Sequence, residues 1–150
     1  MKHYITVLTC LFLLLTVVCG AQTRQDSLEI RRVALDYIEA QHHLKPELFE
    51  RAAHPRMVKR TFWMDKRANK EYLRETFKDA MVLLSETYNR EGDMFPDDPQ
   101  KEVIILDIFD RTASVKLIAD EWIDYMHIVK LNGKWQIVNV LWQFKDSGSH

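Results

Sequence analysis

Asp124 lies in the run W-I-D-Y-M-H-I-V-K (Trp122 to Lys130), a carboxylate among aromatic and aliphatic neighbours. A carboxyl in apolar surroundings has a raised pKa and can act as acid, base or neutral donor. Asn139 falls near it if the intervening Asn132-Gly133 closes a tight hairpin, because diagonal neighbours on one sheet face lie within reach of long side chains. Together they could bind a carbonyl or enolate oxygen. The structural alternative is that Asp124 pairs with a basic residue or sits in water at a sheet edge. His54, directly before Pro55, could serve as a general base at a pocket mouth. More often a His before Pro caps a helix end or satisfies backbone groups. Tyr37 belongs to an apolar helical stripe and offers a hydroxyl to a cavity or simply packs.

Other chemistries find no support. The chain has no H-E-x-x-H, C-x-x-C or G-x-S-x-G, and its four glycines do not form a phosphate-binding loop. His42 and His43 are adjacent and do not converge on one metal if helical. We therefore expect no metal and no cofactor.

Strands must position Asp124. Asn132-Gly133 is a strong hairpin signal, since both residues tolerate positive φ. With Leu131 and Lys134 as the closing pair, Ile128 faces Ile137, Met126 faces Asn139 and Asp124 faces Leu141. A weaker turn at Asp120-Glu121 sets Ala119 opposite Trp122. Alternation then gives two faces. One holds Ala113, Val115, Leu117, Ala119, Trp122, Asp124, Met126, Ile128, Ile137, Asn139 and Leu141. Tyr37, Trp122, Asp124 and Asn139 are accordingly the expected ligand-binding residues. The other face, with Tyr125, His127 and Trp142, suits a homodimer surface, where Tyr and Trp are favoured. A one-residue slip would exchange some of these assignments.

Upstream, Asp26 to about His43 reads as a helix, with capping-box spacing at Asp26 to Glu29 and a stripe of Ile30, Val33, Ala34, Tyr37 and Ile38. A short helix begins at Pro46 and ends before His54-Pro55. Met57 to Met64 is a short strand, and Asp65 to Lys70 a polar turn. Arg74 to Asn89 reads as a third helix, with Phe77, Ala80, Met81, Leu84 and Tyr88 as its stripe. Val103 to Phe109 is a strand leading into the three-stranded meander. Helices first and strands last give an α+β class, three N-terminal helices on a curved antiparallel sheet.

The first 21 residues read as a signal peptide. Lys2 and His3 precede an uncharged apolar run from Tyr4 to Val18, shorter than the roughly 20 residues of a spanning helix, and Cys19-Gly20-Ala21 offers a cleavage site. The alternatives are an uncleaved anchor or a lipoprotein attached at Cys19. The remaining domain, 22–150, is large enough for one core. Cys10 and Cys19 leave with the leader, so the domain has no thiol chemistry. Loss of Lys2 takes the net charge from −1 to −2, with no basic surplus for nucleic acid.

The order of elements resembles the nuclear transport factor 2-like superfamily. The match is carried by A-L-D-Y-I-E (Ala34 to Glu39), A-A-H-P (Ala52 to Pro55), A-S-V-K (Ala113 to Lys116), W-I-D-Y-M-H-I-V-K and N-G-K-W-Q-I-V-N-V-L-W (Asn132 to Trp142). The chain is most similar to the lumazine-binding-like branch of small, often exported bacterial proteins. The resemblance implies a cone-shaped fold, frequent dimers and a pocket between sheet and helices. The superfamily includes ketosteroid isomerases, dehydratases, polyketide cyclases, transport factors and binding modules, and this branch supplies no agreed catalytic set. The expected function is an exported domain that holds a small, mostly apolar molecule, free of membrane unless lipidated at Cys19. The alternatives are a cofactor-free isomerase, dehydratase or cyclase using Asp124 with His54 or Tyr37, and a pure dimerisation or accessory protein.

Overall fold

The computed structural model describes residues 24–146. Helix α1 covers 24–42, followed by α2 (Pro46–Ala52), β1 (Ala53–Asp65), β2 (Lys70–Phe77), α3 (Lys78–Thr87), β3 (Lys101–Phe109), β4 (Thr112–Ala119), β5 (Trp122–Leu131) and β6 (Lys134–Phe144). The leader expected over 1–21 lies outside the described residues. Among the described residues, no helix is long and apolar enough to cross a membrane.

The class is α+β, with three helices on one curved, open six-stranded sheet of order β2-β1-β6-β5-β4-β3. All neighbours are antiparallel except β1 and β6. That parallel pair joins the β1–β2 hairpin to the meander, so the sheet is mixed. The core lies between helices and concave face: Ile30, Ala34, Tyr37 and Ile38 of α1 and Phe49 of α2 bury against Val115, Leu117, Met126, Ile128 and Ile137. The α1 stripe is thus as expected from its spacing. Asp26, however, does not start the helix, which is already running at 24. Its carboxylate instead takes the Lys130 ammonium at 2.5 Å and the Trp135 indole N–H at 3.0 Å, tying α1 to the end of the meander.

α2 opens on Pro46 and ends at Ala52, where Ala53 turns extended. His54-Pro55 cannot continue a helix, and the chain enters β1. The expected strand at Met57 to Met64 is present but longer. The helix expected from Arg74 begins only at Lys78, because Lys70–Phe77 is edge strand β2, paired along its whole length with β1. Nearly every β2 side chain is exposed, so no buried face marked it as a strand.

Tight turns join the meander. Asn132 (φ 50°) and Gly133 (φ 78°) both occupy the left-handed region, as the hairpin requires. Asp120 (φ 46°) does the same at the preceding turn, and its carboxylate accepts the Gln100 amide at 2.8 Å. The closing pairs Leu131 with Lys134, Ile128 with Ile137 and Ala119 with Trp122 are as expected. Beyond Ile137 the register corrects the expectation. One extra residue on β6 makes a bulge between His127 and Ile128, so Met126 faces Val140 and Asp124 faces Trp142. A bulge inserts an unpaired residue and flips every side chain after it. Val140 and Trp142 therefore join the concave face, and Asn139 and Leu141 move to the convex one.

Candidate functional site

At the Trp122 end of the concave face the helices do not fill the space, leaving a cavity of about 270 Å³. α1 contributes Ile38 and Gln41, α3 contributes Met81 and Leu84, and Tyr88 follows α3. The sheet contributes Lys59 and Trp63 from β1, Arg74 and Thr76 from β2, Trp122 and Asp124 from β5, and Trp142 and Phe144 from β6. Alternation explains the β1 and β2 sets, since Lys59 pairs with Thr76 and Trp63 lies two pleats further on. The aromatic wall is continuous: Trp122 lies 6.0 Å from Tyr88 and 6.3 Å from Phe144, and Trp142 lies 5.2 Å from Phe144, ring centre to ring centre.

Asp124 lines this cavity and is 1% exposed. Its Oδ1 accepts the Tyr37 hydroxyl at 3.2 Å and faces the Lys59 ammonium at 3.3 Å. The Lys59 nitrogen also sits over the Trp142 ring, 4.6 Å from its centre, and 5.2 Å from that of Tyr37. Burial lowers the Lys59 pKa from the ordinary lysine value, while Asp124 opposes the fall. Burial also raises Tyr37 well above its ordinary range, with the Asp124 charge adding to the shift. The result is a hydrogen-bonded chain of hydroxyl, carboxylate and ammonium at the cavity wall. It can hold a polar group of a ligand or pass a proton. Asp124 is accordingly not an isolated carboxyl among apolar neighbours: it is ion-paired.

Of the sequence-derived candidates, Tyr37, Trp122 and Asp124 come together here. Asn139 does not. It lies on the convex face, where its Oδ1 accepts Arg60 Nη1 at 2.7 Å and its Nδ2 approaches His127 Nδ1 at 3.4 Å. Trp142 moves the opposite way, from the expected dimer surface into the cavity wall. Both corrections follow from the β6 bulge. His54 stands at the start of β1 and accepts the Arg56 backbone N–H at 3.1 Å. It belongs to a separate shallow depression with Arg56 and Val138, away from Asp124. Tyr125 and His127 are exposed on the convex face, as expected.

Lys59 and Arg74 were not legible as site residues. Arg74 stacks on Trp63, its guanidinium carbon 4.6 Å from the ring centre. A lysine in M-V-K-R reads as surface, and Arg74 reads as the start of a helix. The periodicity that would have exposed both is the β1–β2 alternation, in which Lys59, Thr61 and Trp63 share a face with Arg74 and Thr76.

Beside the cavity, His42 at the end of α1 is buried against Phe95, with ring centres 4.1 Å apart. Phe95 in turn meets Tyr88 and Trp122 at 5.7 and 5.5 Å. Among the described residues neither His42 ring nitrogen has a hydrogen-bond partner, and the Asp120 carboxylate stands 3.8 Å away. Burial, with Lys101 adding to it, pushes the His42 pKa down to about 4. The ring is neutral and acts as a packing surface for the 88–100 loop.

Comparison with known proteins agrees with this architecture. The model of the family described as "Putative lumazine-binding" matches residues 25–143. Among solved structures, an NTF-2 like protein of unknown function from Silicibacter pomeroyi is 14% identical with a TM-score of 0.63, over 82% of this chain and 98% of that one. A protein from Novosphingobium aromaticivorans described as a putative scytalone dehydratase is 14% identical with a TM-score of 0.55, over 85% and 89%. A ketosteroid isomerase-like protein from Erwinia carotovora atroseptica is 14% identical with a TM-score of 0.52, over 79% and 95%. No curated protein matches the sequence. At these identities the structures share a fold and nothing finer. The family match spans most of the chain, and the chain belongs to the family described as putative lumazine-binding, with the fold of the NTF2-like structures.

Proposed function

We propose that this protein is an exported domain that holds one small, mostly apolar molecule in the cone cavity without turning it over. The observation that carries this reading is the cavity itself, walled by five aromatic rings and carrying a few convergent polar groups. Ligand sites have this make-up: mainly apolar walls, with a small number of placed polar side chains. The description of the family supports small-molecule binding. Native mass spectrometry of the chain from Gln22 to His150 tests it. A co-purified mass that disappears in Thr76→Trp, which fills the cavity from β2, is the expected result. An unchanged mass in that variant would place the molecule elsewhere.

A second reading rests on the Tyr37–Asp124–Lys59 chain, which can move a proton within the cavity. It makes the protein a cofactor-free isomerase, dehydratase or cyclase with Asp124 as its acid or base. Turnover of an enolisable substrate that is lost in Tyr37→Phe, with folding retained, would favour it over simple binding. His54 is not part of this reading, because it stands outside the cavity.

Export follows from the apolar run Tyr4 to Val18 and the small residues after it. N-terminal sequencing of the periplasmic or secreted form should begin at Gln22; a start at a lipidated Cys19 would mean a membrane-anchored form instead. The convex face supports a homodimer, since Phe62, Leu73, Phe77, Tyr125 and Leu141 are all exposed on it. Monomeric behaviour of the wild type in light scattering would remove that part of the proposal.

A further inference from the structure

The charge in the cavity is unbalanced. Its wall carries two cations, Lys59 and Arg74, against one carboxylate, Asp124. Asp124 is already committed to Lys59 and to the Tyr37 hydroxyl. Arg74 is held flat against Trp63, and among the described residues no carboxylate lies within ion-pair distance of it. Lys59 and Arg74 thus give this side of the cavity more charged donors than the one carboxylate, Asp124, can match.

A molecule entering the cavity displaces water from these groups. Arg74 is exposed on β2 and keeps part of its water whatever enters, so the choice of occupant rests on what the guanidinium gains: a neutral apolar molecule offers it nothing, whereas an anion adds a charge-assisted hydrogen bond. A cationic occupant would add a third positive charge. An anion restores the balance, and one unmatched cation calls for one negative charge. The opposite wall is built of Trp122, Trp142 and Phe144, whose faces and edges favour a flat aromatic ring. At about 270 Å³ the cavity lies just under the ~300–1,000 Å³ usual for drug-sized ligands, so the ring system is small.

Resting on the binding reading above, we propose that the occupant is a small, flat aromatic monoanion, such as an aromatic carboxylate or enolate. Arg74, with Lys59 beside it, meets the charge, and the tryptophan wall holds the ring. A guanidinium can make a paired, charge-assisted hydrogen bond to a carboxylate, which a hydroxyl of the same shape cannot match.

Isothermal titration of the purified protein at pH 7.5 with three probes of one shape tests this. The probes are 2-naphthoate, 2-naphthalenemethanol and 2-naphthylmethylammonium. The naphthoate should bind about tenfold or more tightly than the alcohol, a ratio expected for one charge-assisted contact, and the ammonium most weakly. Arg74 lies on an exposed edge strand, so Arg74→Gln should fold, as circular dichroism will verify. It should weaken naphthoate by about tenfold and leave the alcohol unchanged. Equal affinities for acid and alcohol would overturn the charge preference while leaving the binding reading intact. An equal loss for both probes in Arg74→Gln would also overturn it, since the arginine would then act by packing alone. No binding of any probe overturns the proposal too, and the native mass spectrum with Thr76→Trp then judges the binding reading separately.

Discussion

The two ends of the concave sheet face differ in what fills them. Near the Asn132-Gly133 hairpin, Ala113, Val115, Ile128 and Ile137 close against α1 and α2 as a dry core. Near Trp122 the same face carries Lys59, Arg74 and Asp124 around open space. β5 and β6 run through both ends, and the β6 bulge lies between them. On the hairpin side, simple alternation places aliphatic side chains inward. Past the bulge, inward positions belong to Val140, Trp142 and Phe144, and to a lysine from the parallel neighbour. The contrast teaches that a site is made here by interrupting a regular pattern, and that its stability rests on charge pairing where the closed end rests on volume.

The largest effect expected from breaking this contrast is at Asp124. Asp124→Asn keeps the shape but leaves Lys59 buried without its carboxylate. Removing one partner of a buried pair costs about 3–5 kcal/mol, to be read by urea unfolding. The double variant Lys59→Met/Asp124→Leu should recover most of that loss. If the single substitution costs under about 1 kcal/mol, in the range of an exposed pair, the open end does not depend on the ion pair.

Volume loss comes next. Ile137→Ala at the closed end should cost about 3 kcal/mol. Leu84→Ala, at a partly buried position where it only enlarges an existing cavity, should cost about 2 kcal/mol, the low end of the range. Equal losses would erase the distinction between the ends.

The third effect is pH-dependent and sits at the rim. His42 is neutral in the fold, with its pKa near 4 against 6.5 when unperturbed. Between these values the unfolded chain binds the proton that the folded chain refuses. Its contribution is thus complete above pH 6.5 and is lost as pH falls toward 4, by about 3 kcal/mol. Asp120, Glu39, Lys101 and His43 are the charges that act on it. His42→Leu should flatten this part of the stability curve; an identical slope in the variant would show that His42 does not report burial. Smallest is Asn139→Ala on the convex face, expected to cost under about 1 kcal/mol. A loss comparable to that of Asp124→Asn would restore Asn139 to the site.

The sequence made the closed end readable and the open end only partly so. Asn132-Gly133 fixed the hairpin, and the pairs from Leu131–Lys134 to Ile128–Ile137 followed from it by alternation. The run I-V-N-V-L-W then hides the bulge, because apolar residues stand at both parities and either register buries some of them. That one residue exchanged Asn139 with Trp142 in the expected site. Asp124, Tyr37 and Trp122 remained legible because they lie on elements with clean periodicity. Met81, Leu84 and Tyr88 face the core as the stripe implied, while Phe77 belongs to β2 and Ala80, though inside α3, is exposed. Lys59 could not be read. Its burial depends on β1 lying beside β6, a pairing between distant segments for which no local pattern speaks.

That parallel pairing also bears on the order in which the molecule assembles. Ala53 and Ile137 are separated by roughly 80 residues of chain, whereas β3 to β6 are joined by tight turns. Closing so long a loop carries an entropic penalty that adjacent hairpins avoid, and distant pairings slow folding. The meander can therefore form early, while β1 waits for β6. The cavity, lined from both, exists only once this last seam has closed, so ligand binding reports completion of folding rather than the presence of local structure.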